Sequence, residues 1–252
     1  LPALAAYVPW LYNWAVKNPL VGGLIKPVSG FASKRSMPLL YKTTLHKWYE
    51  GRLPIVSSSG LSISSPQLPT TVSESAKGKE YYFCDEFTNY NDTEIGIKAI
   101  QLLEKLGYEV EIPKHEESGR TYLSKGLIRQ ARSIAQRNIA ALKDLVSEET
   151  PIIGNEPSAI LTLRDEYIAH TRGQEQQTAH RIAAYTFTFD EFIAREIDQG
   201  NITKDDFTSE KRLIKLHGHC HQKALSSLVP TKKMLTLPEN YQMHMIPSGC
   251  CG

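Results

Sequence analysis

The sequence predicts an α/β fold of two pseudo-repeated strand–helix units with mostly parallel sheets, preceded by an irregular or short-helical basic arm. Three observations carry this. From Glu80 onward, short apolar runs alternate with helix-period segments, the pattern of strand–helix–strand units. The alternation restarts near Leu213. Landmarks of the first stretch then recur in the same order. Cys84 and Cys220 are 136 residues apart, Ile112-Pro113 and Ile246-Pro247 are 134 apart, and Gly119 and Gly252 are 133 apart. A nearly constant offset is the mark of an internal duplication.

The arm and linker are expected over residues 1–75, which hold seven Lys/Arg and two Asp/Glu. Leu1 to Ile25 carries one charge, Lys17, yet Pro2, Pro9, Pro19, Gly22 and Gly23 break it. It therefore falls short of the roughly 20 apolar residues of a membrane span. It also lacks the basic start and cleavage site of a signal peptide. Tyr7, Trp10, Tyr12 and Trp14 suggest short helices packed on a protein surface, with membrane-surface contact as the alternative. Ser57 to Ser75 holds eight serines and reads as a linker.

The first unit is expected over 76–200. Glu80 to Cys84 is a short apolar strand. Asn91 with Glu94 resembles a capping box ahead of Ile95, Ala99, Leu102, Leu103 and Leu106, and Gly107 stops that helix. Tyr108, Val110 and Ile112 alternate with Glu109 and Glu111 as a second strand. Leu123 to Val146 reads as one amphipathic helix with its stripe on Leu127, Ile128, Ala131, Ile134, Ala135, Ile139 and Leu142. Ile152-Ile153 is a third strand, and Ile160 to Tyr167 a further helix. The start of a second unit, cut short, is expected over 201–252: strand Leu213–Leu216, helix Gln222–Leu228 and strand Tyr241–Ile246.

Composition narrows the function classes. With 252 residues, 41% of them hydrophobic and 22% charged, the chain can bury a core and is neither disordered nor collagen-like. Twenty-nine basic against 27 acidic residues give no reason to expect nucleic acid. Four cysteines are too few for a secreted disulfide scaffold. A chain that starts at Leu1 and stops after Cys250-Cys251-Gly252 reads as a piece of a longer polypeptide.

The chemistry gathers on cysteine. If paired strands are parallel neighbours, Cys220 and the Cys250-Cys251-Gly252 loop lie on one sheet edge, where open α/β sheets build their sites. Adjacent cysteines do not readily bridge each other, so two vicinal thiols joined by a third point to metal. Thiolates select iron–sulfur clusters or zinc. His217, His219 and His221 around Cys220 keep zinc in contention. Redox-active thiols and inert structural cysteines are the other readings. No glycine-rich phosphate loop suggests a flavin or nucleotide site within the chain.

The stretch Leu216-His217-Gly218-His219-Cys220-His221-Gln222-Lys223-Ala224-Leu225, ending in Ser248-Gly249-Cys250-Cys251-Gly252, resembles the cysteine-rich CCG domain. That domain occurs in heterodisulfide reductase B-type subunits and in the iron–sulfur parts of glycolate, lactate and glycerol-3-phosphate dehydrogenases. The closest likeness is to the C-terminal iron–sulfur part of FAD-linked D-lactate or glycolate dehydrogenases. Phe87-Thr88-Asn89-Tyr90-Asn91-Asp92, Gly119-Arg120, Ser124-Lys125-Gly126-Leu127 and Leu163-Arg164-Asp165-Glu166-Tyr167 fit that subfamily, as does Asn18-Pro19-Leu20.

The resemblance implies Cys220, Cys250 and Cys251 as ligands of a cluster, a 4Fe–4S centre in the complete protein, with further cysteines expected past Gly252. His217, His219 and His221 become neighbouring donors that tune its potential. FAD is implied elsewhere, on a flavin-containing dehydrogenase domain or subunit. A ferredoxin-like module and a quinone or cytochrome acceptor are the implied partners. The chain alone is not expected to oxidise substrate. The location implied is cytoplasmic, with peripheral contact at the inner face of the membrane as a variant.

The first copy departs from the family pattern. Glu117, Ser118 and Gly119 stand where Cys-Cys-Gly is expected, and Glu156, Pro157, Ser158 and Ala159 where Cys-x-x-Cys is expected. No cluster is expected there. His115, Glu116, Glu117, Glu156 and Asp85 could hold a harder metal, but a structural role is favoured, with Cys84 a buried remnant. The competing function is a zinc-bound or metal-free module that docks oxidoreductase subunits.

Overall fold

A computed structural model describes residues 5–28, 30–32, 34–52 and 76–249. The serine-rich linker and Cys250, Cys251 and Gly252 lie outside the described residues. In chain order the elements are α1 (Pro9–Lys17), α2 (Pro19–Val28), α3 (Leu45–Glu50), β1 (Gly78–Tyr82), α4 (Glu86–Tyr90), α5 (Thr93–Lys105), β2 (Tyr108–Glu111), α6 (Arg120–Ser124), α7 (Ile128–Leu142), β3 (Ile152–Gly154), α8 (Pro157–Ile160), α9 (Glu166–His170), α10 (Gly173–Ala184), β4 (Thr186–Thr188), α11 (Phe189–Asp198), β5 (Arg212–Leu216), α12 (Cys220–Leu225), α13 (Val229–Leu235) and β6 (Tyr241–Met245). The fold is α/β, as the alternation of apolar runs and helical periods predicts.

The chain divides into two units, Leu1–Thr71 with Glu86–Lys98, and Val72–Asp85 with Ala99–Gly252. In the first, short helices are tied by side-chain bonds to backbone. Asn13 bonds both the N–H and the C=O of Leu40 at 2.9 and 2.8 Å. Thr44 caps α3 through Lys47 N–H, and Asn89 accepts from His46 N–H at 3.2 Å. Asn91 does not cap α5. Its amide donates to Leu39 O at 2.8 Å, and the helix starts at Thr93. Gly96 lets Leu45 and Thr88 approach so closely that a Cβ there would overlap both.

The second unit holds a four-stranded sheet of order β2-β1-β3-β4, every pair parallel. Its core joins β1 and β3 to α7, α9 and α10 through Tyr81, Phe83, Ala135, Ile139, Leu142, Ile152, Ile160, Tyr167 and Ile182. Full burial of β3 explains why its residues run apolar without alternation. The long helix expected from Leu123 breaks in two: Gly126, at φ +71°, turns the chain between α6 and α7. Leu127 and Ile128 consequently stay exposed, and the buried stripe runs from Ala131 to Leu142. The single helix expected over Ile160–Tyr167 is likewise divided, into α8, a 3₁₀ turn at Leu161–Leu163 and α9.

β5 and β6 form a separate parallel pair. Its register parallels that of the first: Gly78 faces Tyr108, and Arg212 faces Tyr241, sequence separations of 30 and 29 residues. In both sheets a parallel pair therefore sends two strand-end loops to one edge. The two differ in burial. β1 ends fully buried, whereas Leu213 on β5 and Met245 on β6 are exposed.

Candidate metal centre

Cys220 opens α12 and is partly exposed. The preceding His219 is the N-cap residue: its Nδ1 accepts the His221 N–H at 3.2 Å, which leaves Nε2 turned to Glu156 Oε1 at 3.5 Å. Gly218 lets the Leu228 side chain pack where a Cβ would overlap it. His217 Nδ1 meets Ser248 Oγ at 2.6 Å. Lys223 Nζ donates to Gly249 O at 3.1 Å, and Ile246 N–H donates to Leu216 O at 2.8 Å. Together these bonds strap the loop after β6 to the loop after β5, up to the residue before Cys250. His221 has a buried Nε2 with no hydrogen-bond partner among the described residues. Burial pushes its pKa below the ordinary value, opposed by Glu166 and Asp165 and aided by Arg120 and His219.

The other face of α12 rests on the start of α11. Gln222 Nε2 donates to Asp190 Oδ2 at 2.7 Å, and Thr231 Oγ1 donates to the same oxygen. Asp190 Oδ1 accepts from Thr188 Oγ1 at 2.6 Å. Ser226, the residue after α12, donates to Glu191, which also accepts from Arg164 at 2.6 Å and from Thr188 N–H at 2.9 Å. Burial pushes the Glu191 carboxyl up, but these bonds outweigh it and hold the group below the ordinary value. Sequence pattern does not single out Asp190 and Glu191. The only signal there is the Thr188…Glu191 spacing of a capping box, which the structure forms.

The loops after β1 and β2 are closed by hydrogen bonds. Cys84 is buried, and burial together with Asp85 pushes its thiol well up. Its N–H donates to His115 Nε2 at 3.1 Å, the ring stacks on Phe83 at 4.2 Å, and Nδ1 lies 2.6 Å from Glu116 O. Both ring nitrogens are thus engaged as in a neutral imidazole carrying its proton on Nδ1. Glu116 pairs with Arg137 through two bonds of 2.5 and 2.7 Å. Fully buried Asn138 accepts from Glu116 N–H at 2.7 Å and donates to Glu117 O at 3.0 Å and to Tyr167 OH at 2.8 Å. Tyr167 OH donates to Ser118 O at 3.0 Å. Glu156 caps α8 through Ser158 N–H. Arg164 and Glu166 are partly buried and pair with Glu191 and Arg120.

Among the described residues no three His, Cys, Asp or Glu side chains cluster closely enough to hold a metal ion. Cys250 and Cys251 are not among those residues. No helix of the described residues is long and apolar enough to cross a membrane.

No family model and no solved structure matches the chain. Among curated proteins, D-2-hydroxyglutarate dehydrogenase of Escherichia coli is 24% identical over 164 residues, covering 65% of this chain and 15% of the relative. The enzyme of the same name from Haemophilus influenzae is 22% identical over 171 residues, 67% of this chain and 16% of the relative. The C subunit of the anaerobic glycerol-3-phosphate dehydrogenase of Escherichia coli is 22% identical over 244 residues, 96% of this chain and 56% of the relative. The chain thus spans a small part of the first relatives and about half of the last. All are dehydrogenases by name, which supports an oxidoreductase-related role.

Proposed function

We propose that the chain is the electron-transferring iron–sulfur portion of a flavin-dependent 2-hydroxyacid dehydrogenase of the D-lactate or glycolate type, and that Cys220, Cys250 and Cys251 are cluster ligands. The observation that carries this is the pair of straps, His217 to Ser248 and Lys223 to Gly249, between the loop of Cys220 and the loop leading to Cys250-Cys251. The donor set suits a soft metal: Cys220 is a partly exposed thiol with an imidazole on either side in sequence. Cys84 is the opposite case, buried with its thiol pushed up, so the first copy is read as a scaffold.

An iron–sulfur cluster supplies one-electron transfer. The residues' part is to hold the thiolates in register and to surround them with donors, His217, His219 and His221 among them. In this reading FAD sits on another domain or subunit, a ferredoxin-like module adjoins, and a quinone or cytochrome takes the electrons. Residues 76–200 then form the cysteine-poor first unit and 201–252 the start of the second. The similarity to hydroxyglutarate dehydrogenases supports the hydroxyacid class, and the similarity to a glycerol-3-phosphate dehydrogenase subunit over 96% of the chain supports a subunit-like role. The basic N-terminal arm exposes Tyr7, Trp10, Trp14, Leu20 and Leu24 and is assigned to partner docking, at the inner face of the membrane if the complex is peripheral.

The test is anaerobic reconstitution of the full-length protein, followed by iron, sulfide and zinc analysis and EPR on reduction. Iron and sulfide that Cys220→Ser abolishes are expected. Zinc in place of iron, with no response to dithionite, overturns the reading in favour of a structural docking module.

A further inference from the structure

We infer that Asp190 is a positioning residue for the metal centre, fixing the helix that carries Cys220 against the sheet of the first copy. Its consequence for electron transfer rests on the iron–sulfur reading, and its substance on hydrogen-bond geometry. α12 has six residues, too few to hold its own place in water. The parallel pair β5/β6 that precedes and follows it is a two-stranded sheet with exposed faces, which supplies little burial. The position of Cys220 is therefore decided by what α12 leans on.

α12 packs against α8 and the Leu161–Leu163 turn, and it is tied to α11 by a relay of short bonds. β4 pairs with β3 in the four-stranded sheet, and its last residue, Thr188, caps α11. From there Thr188 Oγ1 holds Asp190 Oδ1 at 2.6 Å, while Oδ2 takes the amide of Gln222, two residues after Cys220, at 2.7 Å. Gln222 is 5% exposed and Asp190 8%. A desolvated carboxylate accepting from neutral donors makes charge-assisted bonds, roughly twice as strong as neutral ones. Thr231 on α13 donates to the same carboxylate oxygen, so one group joins three helices. Glu191 and Glu156 complete the grip at Ser226 and His219. The first copy, without its own thiol set, thus still contributes to the centre, because its sheet supplies the fixed frame for the ligand helix of the second.

The experiment compares wild type, Asp190→Ala, Thr231→Val and the double variant Asp190→Asn/Gln222→Glu, in which donor and acceptor exchange sides. In metal-free full-length protein, the alkylation rate of Cys220 is followed by peptide mass spectrometry, with buried Cys84 as an internal reporter of an intact fold. In reconstituted protein, the EPR line shape and midpoint potential are compared at equal iron loading. For Asp190→Ala we expect about tenfold faster alkylation of Cys220 with Cys84 still protected, a displaced potential and a broadened EPR signal, in keeping with the loss of bonds to a charged group. Thr231→Val should move the same readouts less, and the exchanged pair should recover most of the wild-type values. Unchanged Cys220 reactivity and EPR in Asp190→Ala overturn the inference. If that variant does not fold, Thr231→Val and the double variant decide in the same way. Wild type that takes up no iron overturns the iron–sulfur reading instead, while the alkylation rates still judge the positioning role.

Discussion

Glu80 offers a prediction whose size follows from its surroundings. It lies on β1, 4% exposed, with Oε2 buried and unpartnered among the described residues. Burial, reinforced by Glu196 and opposed by Arg195, raises its pKa from the ordinary 4.5 to about 8. Tyr108 OH on β2 donates to Glu196 Oε2 at 2.7 Å, so the neighbouring carboxylate is satisfied without help from Glu80. The native state holds the Glu80 proton where the unfolded chain has released it. Its stabilising contribution is therefore complete below the unfolded pKa and is lost as pH rises through the folded one. At about 1.4 kcal/mol per unit, the full span amounts to about 5 kcal/mol, of which about 3 kcal/mol disappears between roughly pH 5 and pH 8. Glu80→Gln keeps the shape and removes the titration. In urea unfolding followed by far-ultraviolet circular dichroism, the stability of the variant relative to wild type should grow by about 3 kcal/mol over that interval. Tryptophan fluorescence is the wrong probe, because Trp10, Trp14 and Trp48 belong to the other unit. A difference that stays constant across the interval refutes the reasoning.

Asn138→Ala should cost about 3 kcal/mol in the same unfolding assay, since it removes the buried bonds that Asn138 makes to Glu116 N–H, Glu117 O and the Tyr167 hydroxyl across the loop after β2. Thr188→Ala removes the side-chain half of the α11 capping box and its bond to Asp190, and should cost about 1–2 kcal/mol, read as a lowered urea midpoint. His217→Ala should leave the circular dichroism spectrum intact while lowering the iron bound on reconstitution, because it cuts one of the bonds that strap the Ser248 loop to the Cys220 loop. In native protein Cys84 should resist thiol reagents until denaturant is added, whereas Cys220 reacts in the metal-free state.

The local pattern of the sequence is enough to specify the strands and most helices. The alternation at Tyr108–Glu111 and the apolar run at Ile152-Ile153 are one-dimensional consequences of which faces are buried. The near-constant offset of the landmarks around Cys84 and Cys220 likewise agrees with two parallel strand pairs of near-equal register separation. The places of Cys84 and Cys220 just past β1 and β5 are legible too, since each follows a short apolar run. Interruptions were less so. The break at Gly126 depends on a left-handed backbone that the apolar stripe on either side conceals.

Only the tertiary structure decided how the loops are held. Asp190 reaches Gln222 across 32 residues, Asn138 reaches Tyr167 across 29, and His217 reaches Ser248 across 31. Singly, each is an ordinary polar residue in an ordinary helix or loop. Its role comes from a distant partner that no local period encodes. At the buried pairs, burial is what makes the pairing obligatory: away from water, an unmatched donor or acceptor costs more than the bond itself is worth. The sequence thus determined the elements and the residue types that their loops carry, and the packing of distant polar partners determined how those loops are held.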